Sequence, residues 1–223
     1  MHAYPVVMLI CGDSTLVVRP DQRVGGGSIP TSPLHLRKAD YWVRDCSLTD
    51  AQNLVKKYHY AKGGSNTRTY SPGLYDVVLD ELVGCAWWIP PTKSAGIAWA
   101  GDDWQGVLAL SRLVITPGVP TNACSFLLSK SVKLIDRDRW HTLVSYADDW
   151  QGHLGTIYKA AGWEYAGKTK PEATFTLNGV MIARKAGPKT RTRAEMAALG
   201  AKMIGRYSKS RWCLRSPTGG SNG

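Results

Sequence analysis

Two consecutive units of strand, tight Gly/Pro turn and helix constrain this chain more than any other feature. Val107 to Thr116 is apolar and β-branched, Pro117-Gly118-Val119-Pro120 stops it, and Ser125 to Asp136 resumes with Leu128, Val132 and Ile135 at helical spacing. The order repeats at once: Thr142 to Tyr146 reads as a short buried strand, and Gly155 to Ala161 as a helix closed by Gly162. Hairpins bracket this middle. Leu74 to Leu79 and Leu82 to Ile89 flank Asp80-Glu81, with Trp87 and Trp88 pointing to opposite faces, and Asn178-Gly179 joins Thr174-Phe175-Thr176-Leu177 to Val180-Met181-Ile182-Ala183. A capping box at Thr49 and Gln52 opens a helix from about Asp50 to Tyr58 that runs into Tyr58-His59-Tyr60. The expected fold class is α/β, a mixed sheet with central strands flanked by helices.

A chain of 223 residues suffices for one sizeable core, and 43% hydrophobic with 20% charged residues excludes wholesale disorder. No apolar run approaches the roughly 20 residues of a membrane-spanning helix. The formal charge of +11 favours polyanionic partners, chiefly nucleic acid or an anionic membrane surface. Ten basic residues between Arg184 and Arg215 face the single acid Glu195, so that stretch carries +9, while the other 18 basic and 16 acidic residues nearly cancel. The pattern suggests a nearly neutral body, 36–184, followed by a basic extension, 185–215, and a tail of disorder composition, 216–223. Residues 1–35, with Gly25-Gly26-Gly27 among several prolines, read as an accessory segment and linker. Five widely spaced cysteines without a CxxC pair suggest free thiols in a reducing compartment, and Val6 to Ile10 is too short for a signal peptide's core, so a cytoplasmic location is expected.

Within the extension, Thr192-Arg193-Ala194-Glu195 is a second capping-box pattern, opening a short helix to Leu199 that stops at Gly200. Arg206 to Trp212 interleaves aromatics with cations, as a phosphate-tracking segment does, although a solvated basic terminus has the same composition. Lys189, Arg191, Arg193, Arg206, Lys209 and Arg211 are the candidate DNA-contacting cations.

Three places could carry chemistry. The turn from Pro117 to Cys124 leads into a helix N-terminus whose backbone amides suit an anion, with Ser125 as a cap that could also face the site; an ordinary strand-to-helix turn explains the same residues. Ser145-Tyr146-Ala147-Asp148-Asp149 ends a buried strand, where ligands of open α/β sheets gather, which places Asp148 as a base or ligand. Tyr158, ten residues on, belongs to the next helix and has core packing as its plain alternative. His59 is either a helix-end dipole partner or part of a His59/Asp148/Tyr158 set able to bind iron or another divalent metal or to shuttle protons.

Taken together, Leu110-Ser111-Arg112-Leu113 through Pro117, Asn122, Ser125 and Phe126-Leu127, joined to Ser145-Tyr146-Ala147-Asp148 and to Gly152-His153-Leu154-Gly155-Thr156-Ile157-Tyr158-Lys159-Ala160-Ala161-Gly162-Trp163, resemble the Mom family of bacteriophage DNA-modification proteins. The likeness extends more loosely from about His59 to Arg184. It implies a GNAT-like acyltransferase fold over 36–184 and conversion of adenine in DNA to an acetamido (carbamoylmethyl) derivative on the exocyclic amine, which shields DNA from restriction enzymes. Carried over by position, it implies functional roles for His59, Arg112, Ser125, Asp148 and Tyr158, with Tyr158 as general acid. The donor implied is acetyl-CoA or another carrier of a two-carbon amide unit, held by Gly118, Val119, Asn122 and Ser125. The GNAT glycine-rich diphosphate turn is replaced here by Thr116-Pro117-Gly118-Val119-Pro120, whose prolines remove amide donors. The partner implied is double-stranded DNA with a flipped adenine, stacked on Tyr58, Tyr60, Trp87 or Trp88. A homodimer stays open. Two other functions fit the residues: a GNAT-like transferase of a small-molecule or protein amine, and a non-catalytic DNA-binding protein.

Overall fold

A computed structural model describes residues 35–60, 64–186 and 189–216; residues 1–34, and with them Cys11 and most of the expected accessory segment, lie outside the described residues. The elements run β1 (Tyr41–Asp45), α1 (Leu48–Tyr58), β2 (Pro72–Asp76), β3 (Leu82–Ile89), α2 (Lys93–Ala100), β4 (Val107–Ile115), α3 (Ala123–Val132), β5 (Thr142–Asp148) and α4 (Thr156–Ala160). They continue as β6 (Glu164–Lys168), β7 (Glu172–Leu177), β8 (Val180–Ile182), β9 (Lys185–Ala186), β10 (Lys189–Thr190), α5 (Arg193–Ala198), β11 (Lys202–Tyr207) and β12 (Lys209–Arg215). Seven strands form one sheet in the order β1-β2-β3-β4-β5-β12-β6. Every neighbouring pair is antiparallel except β4 and β5. This mixed sheet with helices on both faces is the α/β architecture expected of the chain.

The parallel pair creates the central feature. β4 and β5 meet only at Val107–Thr142, Leu108–Leu143 and Ala109–Val144. Beyond those positions β4 stays paired with β3, and β5 stays paired with β12. Each half of the sheet is thus held from outside while its inner edges part, leaving a notch between Leu110–Ile115 and Ser145–Asp148. A bulge deepens the asymmetry. Arg112 pairs with Trp87 and Leu110 with Trp88, so Ser111 has no opposite residue and the alternation of β4 shifts there. Leu110 consequently packs on the α3 side with Leu127 and Leu143, whereas Val114 packs on the α1 side with Val55 and Trp87.

Trp87 and Trp88 do point to opposite faces, but both are fully buried, Trp87 beneath α1 and Trp88 beneath α3. Neither can stack on a flipped base, because burying two indoles in the core removes the faces that a base would need. Helix α1 starts earlier than expected. Its cap is Ser47, whose hydroxyl accepts from the Asp50 amide, so Thr49 lies inside the first turn. The Asn178-Gly179 hairpin forms, with both residues at positive φ joining β7 to β8. Thr192 and Glu195 form the expected reciprocal capping box of α5.

The expected separation at residue 184 does not follow the sheet. β12 is inserted between β5 and the edge strand β6, paired with β5 from Asp148–Lys209 to Thr142–Arg215. The physical reason is visible in Lys209-Ser210-Arg211-Trp212-Cys213-Leu214-Arg215. Its charges alternate with buried Ser210 and Trp212, a period of two that belongs to a strand with one polar face. Of the expected extension, the described residues up to Tyr207 stand outside the main sheet, as the β9–β10 ribbon, α5 and β11, which joins β7 and β8 in a separate sheet. Cys46, Cys85, Cys124 and Cys213 are buried thiols outside any disulfide. No helix of the described residues is long and apolar enough to cross a membrane.

Candidate functional site

The notch collects ionisable side chains from four elements. Asp148 ends β5 with only 4% of its surface exposed. Its carboxylate accepts from the Trp150 amide at 3.3 Å and from the Tyr60 hydroxyl at 3.5 Å, and lies 3.4 Å from the Lys209 ammonium, its cross-strand neighbour. Tyr60 follows α1, and Arg112, two residues from Val114, shares the α1 side of β4. Burial and the Asp148 charge push the Tyr60 phenol far above its ordinary range, against the pull of the Arg112 guanidinium. Tyr60 is therefore a neutral hydrogen-bond donor that links both walls of the notch. Arg112 also donates to the Ser111 carbonyl at 2.6 Å, a contact that the bulge makes available.

Ser145 and Tyr158 sit on the opposite face, because Ser145 and Asp148 are three residues apart on one strand. The Ser145 hydroxyl donates to the Tyr158 oxygen at 2.8 Å. Tyr158 is stacked on Trp212, with ring centroids 5.7 Å apart, and touches Trp163 at 5.5 Å. Burial pushes its pKa up to about 12 while the Ser145 hydrogen bond pulls it down. The phenol keeps its own proton at neutral pH, and because Ser145 is the donor, that proton is free to be given away. Gly155, at φ +73°, is required beside it, since a Cβ there would come within 2.4 Å of the Trp212 ring.

Raised tyrosine pKa values have a stability consequence. An unfolded tyrosine ionises near pH 10, whereas folded Tyr158 holds its proton to about 12. Its contribution is thus fully present below pH 10 and is lost as pH rises through the folded value. Chemical melts at about pH 8 and about pH 10.5 are expected to show an alkaline loss of stability that is smaller in Tyr158→Phe.

The other expected residues fall into place unevenly. The His59 ring stacks on Tyr60 at 4.4 Å, and its amide caps α1 by donating to the Val55 carbonyl. His59, Tyr60, Arg112, Asp148 and Tyr158 therefore gather around the notch. Ser125 does not cap α3. The N-cap position is Asn122, and the Ser125 hydroxyl is spent on the Asn122 carbonyl at 3.0 Å. Of the expected DNA-contacting cations, Lys209 and Arg211 belong to β12 within the main sheet. Lys189 pairs with Glu195, and Arg206 donates to the Pro171 carbonyl at 2.8 Å. Arg191 and Arg193 lie with them in the outlying part.

The sequence patterns did not single out His153. Its ring meets Tyr60 edge-on at 5.9 Å, its amide donates to the Asp148 carbonyl, and its Nε2 is buried without a hydrogen-bond partner. Burial lowers its pKa against the opposing pull of Asp148, so it is a neutral imidazole. The available signal was its distance of five residues from Asp148, across a turn that folds it back.

The two expected auxiliary groups fare differently with the residues named for them. At the β4–α3 turn Pro117 and Pro120 have no N–H, the Ala123 amide donates to the Pro120 carbonyl, and the Asn122 side-chain oxygen accepts from the Leu36 amide at 2.7 Å. With the Ser125 hydroxyl also engaged, the Asn122 and Ser125 side chains are spent within the protein, and any diphosphate contact at this turn falls to backbone amides. For a metal, the described residues hold no cluster of three His, Cys, Asp or Glu side chains. Tyr158 is held as a protonated phenol on the face opposite Asp148, so His59, Asp148 and Tyr158 do not fit a shared ion. What remains is an acid–base site: a buried carboxylate and a neutral imidazole able to accept a proton, a buried phenol able to donate one, and the cations Arg112 and Lys209 to orient an anionic group.

The Mom protein family matches residues 40–211. No curated protein matches the chain. Among solved structures the chain is similar to an acetyltransferase from Bacillus subtilis in complex with CoA, at 9% identity and a TM-score of 0.47, covering 79% of this chain and 98% of that one. It is also similar to the ribosomal-protein-S18-alanine N-acetyltransferase from Escherichia coli, at 12% identity and a TM-score of 0.49, covering 82% and 97%. A spermidine N-acetyltransferase chimera from Vibrio cholerae and hSSAT gives 12% identity and a TM-score of 0.49, covering 79% and 95%.

Proposed function

Because the chain belongs to the Mom protein family, we propose that it is a transferase that places a carbamoylmethyl (acetamido) group on the exocyclic amine of adenine in DNA and so shields that DNA from restriction enzymes. The observation that carries the proposal is Asp148. It is a carboxylate buried at the mouth of a split sheet, oriented by Lys209, Tyr60 and the Trp150 amide, with a protonated phenol on the other face of the same strand.

Adenine's amine is paired and stacked in duplex DNA, so the nucleotide is extruded before reaction at a cost of about a few kcal/mol. The amine is a weak nucleophile. Its nitrogen forms a bond to the donor carbon while a proton leaves it for Asp148, with the His153 imidazole as a second acceptor beside it. The donor's leaving group departs with the bonding pair and takes the proton of Tyr158. Ser145 steadies the Tyr158 oxygen as negative charge develops there, which a single positioned donor does most effectively in a buried site. Arg112 and Lys209 orient the carbonyl or an anionic group of the reactants. These residues act on the two-carbon unit whatever carries it. The outlying cations Lys189, Arg191, Arg193 and Arg206 supply sequence-independent phosphate contacts.

Mass analysis of nucleosides from DNA of cells expressing the protein tests the proposal. A deoxyadenosine heavier by one carbamoylmethyl group is expected. Unchanged nucleosides from cells that contain folded protein overturn the proposal, leaving DNA binding alone or an amine acceptor other than DNA.

A further inference from the structure

Two residues along β5 from Asp148, on the same face of the sheet, Tyr146 leaves 38% of its surface exposed. It is not a loose aromatic. The Trp99 indole N–H, from α2, donates to the Tyr146 hydroxyl at 2.8 Å, and the two rings meet edge-on with centroids 6.1 Å apart. Arg211, the cross-strand partner of Tyr146, lies over the Trp99 ring at 5.1 Å, with its guanidinium held by two bonds to the Ala166 carbonyl. Three side chains from α2, β5 and β12 thus lock one another into an aromatic and cationic ledge. None of them is needed for the proton transfers described above.

The register relates this ledge to the site. Tyr146 faces Arg211 and Asp148 faces Lys209 in successive pairs on one face of the sheet, so the ledge and the carboxylate are about 7 Å apart along the strand. That spacing is close to the width of a purine. A base lying against Tyr146 and Trp99 has its far edge at Asp148, while Arg211 and Lys209 border it with the charge that a phosphate requires.

We propose that Trp99, Tyr146 and Arg211 form the stacking wall that receives the extruded base and sets its amine against Asp148. The wall rests on the proposed function for its substrate, but it is a binding surface and can be tested without turnover. It takes the place of the buried Trp87 and Trp88 as the aromatic platform.

The test is titration of the full chain with a five-nucleotide oligodeoxyadenylate bearing 2-aminopurine at its centre, against the same oligonucleotide with an abasic centre. The wild-type protein is expected to bind the base-bearing oligonucleotide about 10- to 100-fold more tightly than the abasic one, the usual worth of one stacked base. Trp99→Ala is expected to lose that preference and Trp99→Phe to keep it within about threefold, because a ring remains. Tyr146→Phe retains the second ring but frees the indole N–H. It gives an intermediate loss and serves as the decisive variant should Trp99→Ala fail to fold. An equal affinity of wild-type protein for both oligonucleotides overturns the wall, as does a preference unchanged in Trp99→Ala or, if that variant is unfolded, in Tyr146→Phe. Absence of modified deoxyadenosine together with a preference that depends on Trp99 would instead overturn the reaction and leave the wall standing.

Discussion

A chain truncated after Arg184 is expected to be insoluble or unfolded rather than merely weaker in binding DNA. The cut removes β12 from inside the sheet, between β5 and the edge strand β6. β5 then loses the partner it keeps along its whole length, and β6 loses its place in the sheet. The buried side chains of Trp212 and Cys213 go too, and with Trp212 the ring on which Tyr158 stacks. Burial of a single large side chain contributes about 1.5 to 3 kcal/mol, and an entire interior strand removes several such contributions from a total stability of about 5–15 kcal/mol. Far-UV circular dichroism and thermal melting check the outcome. A native-like melt of the truncated chain would contradict this account of the sheet. Replacing Lys189, Arg191 and Arg193 by alanine is the proper probe of the outlying charge. The triple variant is expected to melt close to the wild type while its DNA affinity falls and becomes less salt-dependent, because Lys189 and Arg193 are exposed, Arg191 is half-buried, none belongs to the core, and the proposal gives them phosphate contacts.

Asp148→Asn is expected to reduce adenine modification by about 10²- to 10⁴-fold, the range for loss of a positioned general base. The substitution keeps the shape of the side chain and an oxygen for the Trp150 amide, but it removes the charge to which the proposed reaction delivers the amine proton. Lys209 then faces a neutral group. Because that ammonium is nearly half exposed, water replaces the lost partner and the melting temperature is expected to shift little. The measurement is the modified fraction of deoxyadenosine in co-expressed DNA, normalised to the amount of folded protein. Full modification by Asp148→Asn would move the base to His153, whose buried Nε2 has no hydrogen-bond partner.

Much of the local structure was legible from short patterns. Asn178-Gly179 joined two strands because both residues tolerate positive φ, and Thr192 with Glu195 capped α5 because each satisfies a donor of the other. The cap of α1 was misplaced because Ser47-x-x-Asp50 and Thr49-x-x-Gln52 overlap, and only the turn of chain entering from β1 selects between them. Charge concealed β12. A count of cations in 185–215 groups Lys209 and Arg211 with Lys189 and Arg193, although alternation with Ser210 and Trp212 marks the former as a strand.

A strand end followed by a helix marks Asp148 as a candidate base or ligand, and the family resemblance adds Tyr158, but neither signal assigns the two to opposite faces of the sheet. That division follows from Ser145 and Asp148 being three apart, together with the partner that each face supplies. Trp87 and Trp88 failed as stacking residues because alternation predicts opposite faces and says nothing about whether both faces are covered. Tyr146 and Trp99, the ledge that takes their place, are 47 residues apart, and no local rule joins them.

By itself the sequence determined the two strand–turn–helix units, the hairpins that bracket them, the cap of α5 and the chemical groups available, since those depend on propensities and periodicities acting over a few neighbouring residues. Only the tertiary structure decided that β4 and β5 part after three pairs, that β12 enters the sheet between β5 and β6, and that Tyr60, Arg112, Asp148 and His153 meet around the notch. Those outcomes rest on pairings between distant segments, where the loss of chain entropy is offset only when the whole sheet and its two buried faces form together.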